Sequence, residues 1–280
     1  MIEVRYQARL GNNLFQYSLG RILAEGLGFE LCAEAIPGFP ATRDRVRGAR
    51  HEHPVQVLSG QRVDLAAILA DRTPRRIVLE GWFQRHEYYR PHRDRVRQWL
   101  AFDPSIRVPE EPAACVVHVR RLDYVTAGWA MPYSFYEDAL RVLGPVPDVW
   151  IVTDDERDPF FLRFRRVLRF YRGNNLESLA MMTRARAIVM SQSTYSWWPT
   201  FLGDPGRVVC PVPAFGGWSP SGEASAASLI ERDRFTCLDV AEPDRPTRQE
   251  RRHQEERALK RRAILGLNRR FGIGFPEPPQ

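Results

Sequence analysis

The chain has 280 residues, 44% of them hydrophobic and 27% charged, the ordinary composition of a globular protein with a real core. No apolar run approaches the ~18 residues of a membrane span, and the opening MIEVRYQARLGNN lacks an apolar signal-peptide segment, so a cytoplasmic location is expected. The net charge of +7 sits almost entirely between Arg248 and Gly272, where nine basic residues face three acidic ones; the near-neutral remainder is not a basic nucleic-acid scaffold.

IEVRY alternates Ile2, Val4 and Tyr6 with polar residues and predicts a first strand. In the LGNNLFQYSLGRILAEGLG that follows, Phe15, Leu19, Ile22, Leu23 and Leu27 recur at helical spacing, with Asn12 or Asn13 as N-cap and Gly28 as terminator. A strand passing through Gly11 and Asn12 into a helix offers free backbone N–H groups to an anion, although an ordinary βα turn has the same local pattern. Residues 34–62, broken by Pro37, Gly38, Pro40, Pro54 and Gly60, read as loops. IVLEGWF (77–83) reads as a strand, Arg93 to Leu100 as a helix, and VPEEPAA (108–114) as a linker between domains.

The central stretch is CVVHVRRLDY (115–124). Its short apolar residues suit a strand covered on both faces, and it runs straight into His118, Arg120, Arg121 and Asp123. Two adjacent arginines are costly to bury unless something anionic meets them. Alternation along a strand turns His118 and Arg120 one way and Arg121 the other. Ligands of open α/β sheets sit beyond the carboxyl ends of strands, so this stretch predicts an anion site, with a diphosphate as its first candidate.

Beyond it the expected order is helix 133–143, strand 149–153, helix 159–167, strand 168–171, helix 176–184, strand 187–190, helix 194–202 and strand 207–210. Strands alternating with helices of about ten residues imply parallel βαβ units and an α/β fold. Three polar clusters, HVRRLDY, TDDE (153–156) and SQSTYSWW (191–198), then fall at one sheet edge. Arg120 can grip a diphosphate bidentately, and Ser191, Ser193 and Thr194 can offer hydroxyls before a helix. Asp154 and Asp155 admit a metal reading or, alternatively, contacts to a base or ribose. Trp197 and Trp198 fit core packing better than a stacking platform. The four cysteines are far apart and read as reduced thiols. No Walker loop and no G-x-S-x-G elbow occurs. In the tail, Leu259, Ala263, Leu267 and Phe271 make a stripe on a basic helix, which either lies on an anionic membrane or docks on the body.

Five of these stretches occur in the order of a known family. LGNNLFQYSLGR resembles the GGLGNQMFQYAFGR signature of the α-1,2-fucosyltransferases, glycosyltransferase family eleven. LEGWFQRHEYY resembles their G-Y-[FW]-Q-S-E-K-Y-F, HVRRLDY their H-x-R-R-G-D-Y, IVTDD their F-S-D-D, and SQSTYSWW their N-S-S-F-S-W-W. The resemblance implies a GT-B-like architecture, two Rossmann-like domains facing a cleft: an acceptor-side domain over 1–112, a GDP-sugar domain over 113–245, and a basic tail over 246–280. It implies GDP-fucose as donor, inversion at the sugar, a glycan acceptor and no metal; the basic tail adds the expectation of a lipid-linked acceptor met at a membrane, and the near-neutral body the expectation of no nucleic-acid partner. Carried over by position, Arg120 binds the diphosphate with Arg121 and His118 in support. Gly11 and Asn12 approach it from the first domain, and Asp154, Ser193, Thr194 and Ser196 contact the nucleotide. Asp123 is the candidate base or, beside two arginines, an ion-pair partner. The chain departs from the pattern at Arg9 and Leu122, where the family has glycine, at Asn13 for glutamine, and at Gln192 for asparagine. These departures leave room for another GDP-sugar or for a non-catalytic binding protein.

Overall fold

A computed structural model describes residues 1–43, 54–60, 62–216 and 229–271; the rest of the loops expected over 34–62, and the tail beyond 271, lie outside the described residues. The first half runs β1 (Ile2–Val4), α1 (Leu10–Leu27), β2 (Leu31–Cys32), β3 (Val55–Gly60), α2 (Leu65–Ala70), β4 (Arg76–Gly81), α3 (His86–Tyr89) and α4 (Arg93–Trp99). Its strands form a parallel sheet in the order β2-β1-β4-β3. The chain leaves β1 on one side to make β2, and β4 pairs on the other side. The order therefore reverses between β1 and β4, and both carry a motif at their carboxyl ends.

α1 begins one turn earlier than the asparagines suggest. The N–H groups of Asn12 and Asn13 both donate to the Arg9 carbonyl, at 2.9 and 3.1 Å. Arg9 is therefore the N-cap, and it makes no side-chain cap bond. Gly28 closes the helix at φ 70°, a conformation that glycine adopts without a Cβ penalty.

The second half runs β5 (Cys115–Val119), α5 (Leu122–Ala127), α6 (Tyr133–Leu143), β6 (Val149–Thr153), β7 (Arg169–Phe170), α7 (Asn175–Thr183), β8 (Ala187–Val189), α8 (Thr194–Leu202), β9 (Arg207–Pro213), β10 (Thr236–Val240) and α9 (Arg248–Phe271). All six strands are parallel, in the order β10-β9-β8-β5-β6-β7. Here the order reverses between β5 and β8, which again carry motifs at their ends. The helix expected over 159–167 is only a 3-10 segment, Pro159–Arg163. Its apolar residues do not share a face, for Phe160 is buried while Leu162 and Val167 are exposed.

β5 is buried throughout, and its alternation sorts the core. Val116 packs into the cluster that continues into the first sheet, whereas Cys115, Val117 and Val119 pack with α6 and the Phe160–Phe164 region. The first cluster is continuous across both sheets. Phe15 of α1 lies 4.6 Å from the Trp198 ring and 4.9 Å from that of Trp197, and Trp197 stacks on Phe201 at 4.8 Å. Both tryptophans are fully buried, as their core reading requires. Aromatic pairs of this kind add about 0.5–1.5 kcal/mol each beyond their area burial. The two sheets are thus welded by one aromatic core, and polar residues collect at the strand ends beside it.

The first turns of α9 dock on the body through polar and charged side chains; of the expected stripe, Leu267 and Phe271 lie outside the described side chains. Glu250 pairs with Arg163, His253 with Asp155 at 2.8 Å and Arg257 with Asp155 at 2.6 Å, while Gln254 donates to Asp158 at 2.8 Å. Leu259, the first residue of the stripe, remains exposed. Among the described residues no helix is long and apolar enough to cross a membrane.

Candidate functional site

The site is built on the strand ends at which each sheet reverses its order, the place where open α/β sheets bind ligands. At the end of β5 the two arginines part as alternation requires. Arg120, its side chain 14% exposed, pairs with Asp154 and Asp123, both at 2.7 Å, and its guanidinium lies over the Tyr124 ring at 5.3 Å. Asp154, at the end of β6, also accepts the Arg121 backbone N–H at 2.8 Å. Burial pushes the Asp154 carboxyl up to about 6, against the pull of Arg120 and of that N–H.

Arg121 corrects its expected role as a diphosphate ligand. Its side chain is fully buried on the other face, 3.0 Å from Asp158, 2.7 Å from Asp244 and 3.7 Å from Glu250, with the guanidinium 4.0 Å over the Phe160 ring. A charge so enclosed has its counter-anions already and no room for a substrate.

His118 shares the face of Arg120. Its Nδ1 lies 2.9 Å from the Ser191 hydroxyl and its ring 5.4 Å from that of Tyr195. Burial lowers its pKa to about 3, so it acts as a neutral hydrogen-bonding group and not as a cation for a phosphate. Ser193 caps α8, accepting from the Tyr195 N–H at 3.3 Å. Ser196 corrects a second expectation. It is fully buried, and its hydroxyl donates to the Ser191 and Ser193 carbonyls, which leaves it a fastener of the loop rather than a nucleotide contact.

From the first sheet come Gly11, Asn12 and Gln84. A Cβ on Gly11 would lie 2.6 Å from Thr194 Oγ1 and 2.9 Å from the Tyr195 nitrogen. The Gly11 carbonyl accepts from Trp198 Nε1 at 2.7 Å. Gly11 therefore lets α1 meet α8 closely, beside Thr194, the hydroxyl expected at the nucleotide. Asn12 accepts from Gln84 Nε2 at 2.8 Å, which ties the LGNN turn to the GWFQ turn. Gln16 accepts from the Gln7 N–H and donates to the Gly81 carbonyl, so this motif glutamine is a brace for both turns.

Sequence reasoning missed two strained residues and one ion pair here. Ala8, at φ 63°, and Phe83, at φ 50°, occupy left-handed backbone that side chains disfavour. Each directly precedes a residue of the site, Arg9 and Gln84. Arg9 reaches across to Asp123 at 3.2 Å. The departure at Arg9, where the signature has glycine, was the available signal. Leu122, where the family glycine would sit, opens α5 and lies outside the left-handed region, so it takes the place without strain. Among the described residues no group of three or more His, Cys, Asp or Glu is placed to hold a metal ion, and Asp154 and Asp155 each have cationic partners.

All five sequence stretches thus meet by direct contact. Gly11 abuts Thr194, Asn12 holds Gln84, Arg9 pairs with Asp123, Arg120 with Asp154, and His118 with Ser191. No family model and no curated protein matches the chain. Among solved structures, the chain is similar to a fucosyltransferase NodZ from Bradyrhizobium at 13% identity, with a TM-score of 0.47, covering 74% of this chain and 94% of that one. It is also similar to a NodZ α-1,6-fucosyltransferase soaked with GDP-fucose at 14% identity, with a TM-score of 0.48, covering 74% of this chain and 93% of that one.

Proposed function

We propose that the protein is an inverting glycosyltransferase that moves fucose from GDP-fucose to a hydroxyl of a glycan acceptor. The observation that carries this reading is the meeting of five motifs, scattered from residue 9 to residue 198, at the end of the strand that presents the partly buried Arg120. In this reading Arg120 binds the diphosphate and takes up its growing charge as the bond from the sugar C1 to the phosphate oxygen breaks. The bonding electrons leave with GDP, and the acceptor oxygen attaches to C1 from the opposite face. Its proton passes to a base, for which Asp123, half-exposed beside Arg120, is the carboxylate we assign. Asn12, Ser193 and Thr194 line the approach to the nucleotide. The donor diphosphate is neutralised by arginine, so no metal is assigned.

The finer form of the proposal is an α-1,2 link to galactose in surface-polysaccharide synthesis, following the motif resemblance. A cytoplasmic enzyme with the exposed basic face of α9 against the inner membrane surface would meet a lipid-linked acceptor. The test is calorimetric titration of GDP, GDP-fucose and GDP-mannose, followed by GDP release on galactosides with and without chelator. The reading expects GDP and GDP-fucose to bind and chelator to have no effect. Absence of GDP binding, or turnover unchanged by Arg120→Ala, overturns it. Binding of GDP with no transfer to any acceptor leaves the alternative of a non-catalytic binder.

A further inference from the structure

Resting on the reading of this site as one for a nucleoside diphosphate, we propose that Arg9 is a second diphosphate-binding arginine, supplied by the first sheet, and that the donor engages it by taking the place of Asp123 between Arg9 and Arg120. Arg9 Nη2 lies 3.2 Å from Asp123 Oδ2, while Arg120 Nη2 lies 2.7 Å from Asp123 Oδ1. One carboxylate is thus spanned by two guanidinium groups that approach from different sheets and contact different oxygens. Paired anionic oxygens between two arginine forks are also what a phosphate presents, with more charge and more acceptors than a carboxylate.

The surroundings make the exchange feasible. Arg9 and Asp123 have side chains 45% and 49% exposed, so a ligand can reach both, and an exposed pair of this kind is weakly held. Arg120 is far less exposed and keeps Asp154 as a partner when Asp123 leaves. Arg9 is the N-cap of the 18-residue α1, where its own side chain makes no cap bond, so the helix dipole adds to the positive field at the same point. The left-handed Ala8 bends the chain just before it. Arg9 stands where the resembling signature has a glycine, so the residue is a property of this chain and not one carried over from the motif. Displaced from its two arginines, Asp123 is also freed to receive the acceptor's proton.

The experiment is calorimetric titration of GDP, and of GMP as a control lacking the second phosphate, into the full chain and its Arg9→Gly, Arg9→Lys and Asp123→Asn variants, with melting curves to confirm folding. Arg9→Gly should weaken GDP binding about tenfold or more while GMP binding changes less. Arg9→Lys should restore part of the loss, and Asp123→Asn should tighten GDP binding by removing the competing anion. Wild-type binding of GDP with equal affinity in Arg9→Gly overturns the role of Arg9 alone. Failure of the wild type to bind GDP overturns the reading of the site, and the role of Arg9 with it.

Discussion

Arg120 and Arg121 leave the same strand on opposite faces of one sheet, and they meet very different surroundings. Arg120 is open on one side and leans on Asp123 and Asp154, the first of which is half-exposed and replaceable. Arg121 is closed in by Asp158, Asp244 and Glu250, with the Phe160 ring beneath it and Arg163 shared by the same carboxylates. A buried charge that has its full set of counter-charges is part of the architecture, whereas one left with an exchangeable partner can do chemistry. The second of the two motif arginines is therefore a structural residue. It anchors α9 and the segment around Asp244 to the back of the strand whose front presents Arg120.

The largest effect should come from breaking the closed cage. Arg121→Ala leaves three buried carboxylates without their central cation and should cost about 3–5 kcal/mol in urea unfolding. A loss below about 1 kcal/mol would mean that the cage does not hold the fold. At Arg120 the balance should reverse. Arg120→Ala should weaken GDP binding by about 1.5–3 kcal/mol, roughly ten- to a hundredfold, with a smaller loss of stability than at Arg121. Equal destabilisation by the two alanines would erase the distinction.

A narrower test removes one wall of the cage from the tail. Glu250, its side chain 1% exposed, pairs with Arg163 and lies near Arg121. Glu250→Gln keeps the shape and removes the charge, and should cost about 1–3 kcal/mol. GDP affinity should stay within about threefold of wild type if α9 serves the fold alone. A collapse of GDP binding in a folded Glu250→Gln protein would instead make the tail part of the site.

Much of the front of β5 was legible in the sequence, and little of the back. Short apolar residues running into His-x-Arg-Arg-x-Asp specify a buried strand and a charged end, and period-two alternation separates the arginines without any coordinates. The helices at 133–143 and 194–202 were legible for a related reason, since their apolar spacing is a local property. The cage was not legible, because Asp158 and Asp244 are 37 and 123 residues from Arg121 and no spacing rule selects them from 34 acidic residues. α2 and α5, six residues each, are too short to declare a period. β3 and β10 take their place from the strands they flank. Ser196 misled because motif residues near a ligand site include the fasteners of its loops, and sequence does not separate those from contacts.

The smallest net effect in the wild type concerns pH, because two opposed slopes nearly cancel there, and single variants that separate them test the front face by itself. Burial raises the Asp154 carboxyl to about 6 while Arg120, the Arg121 N–H and the more distant Asp123 adjust it. The native state therefore holds this proton more tightly than the unfolded chain, so this group's contribution to stability falls as pH rises from about 4 to about 6. His118, beside Ser191 and Tyr195, has the opposite sign. Burial lowers it to about 3, the unfolded chain binds the proton more readily, and stability rises with pH from about 3 to about 6.5. Each slope is at most about 1.4 kcal/mol per pH unit, and in the shared window they offset each other. Urea unfolding across that window should give a difference from wild type that climbs with pH for Asp154→Asn and descends for His118→Gln. Parallel curves would show that neither group titrates as its burial requires. Removing the Arg120 cation should carry the Asp154 window to higher pH, because burial then acts unopposed by that charge. Arg121→Met should move the window less, since the contact of that residue with Asp154 is a backbone N–H, which methionine keeps.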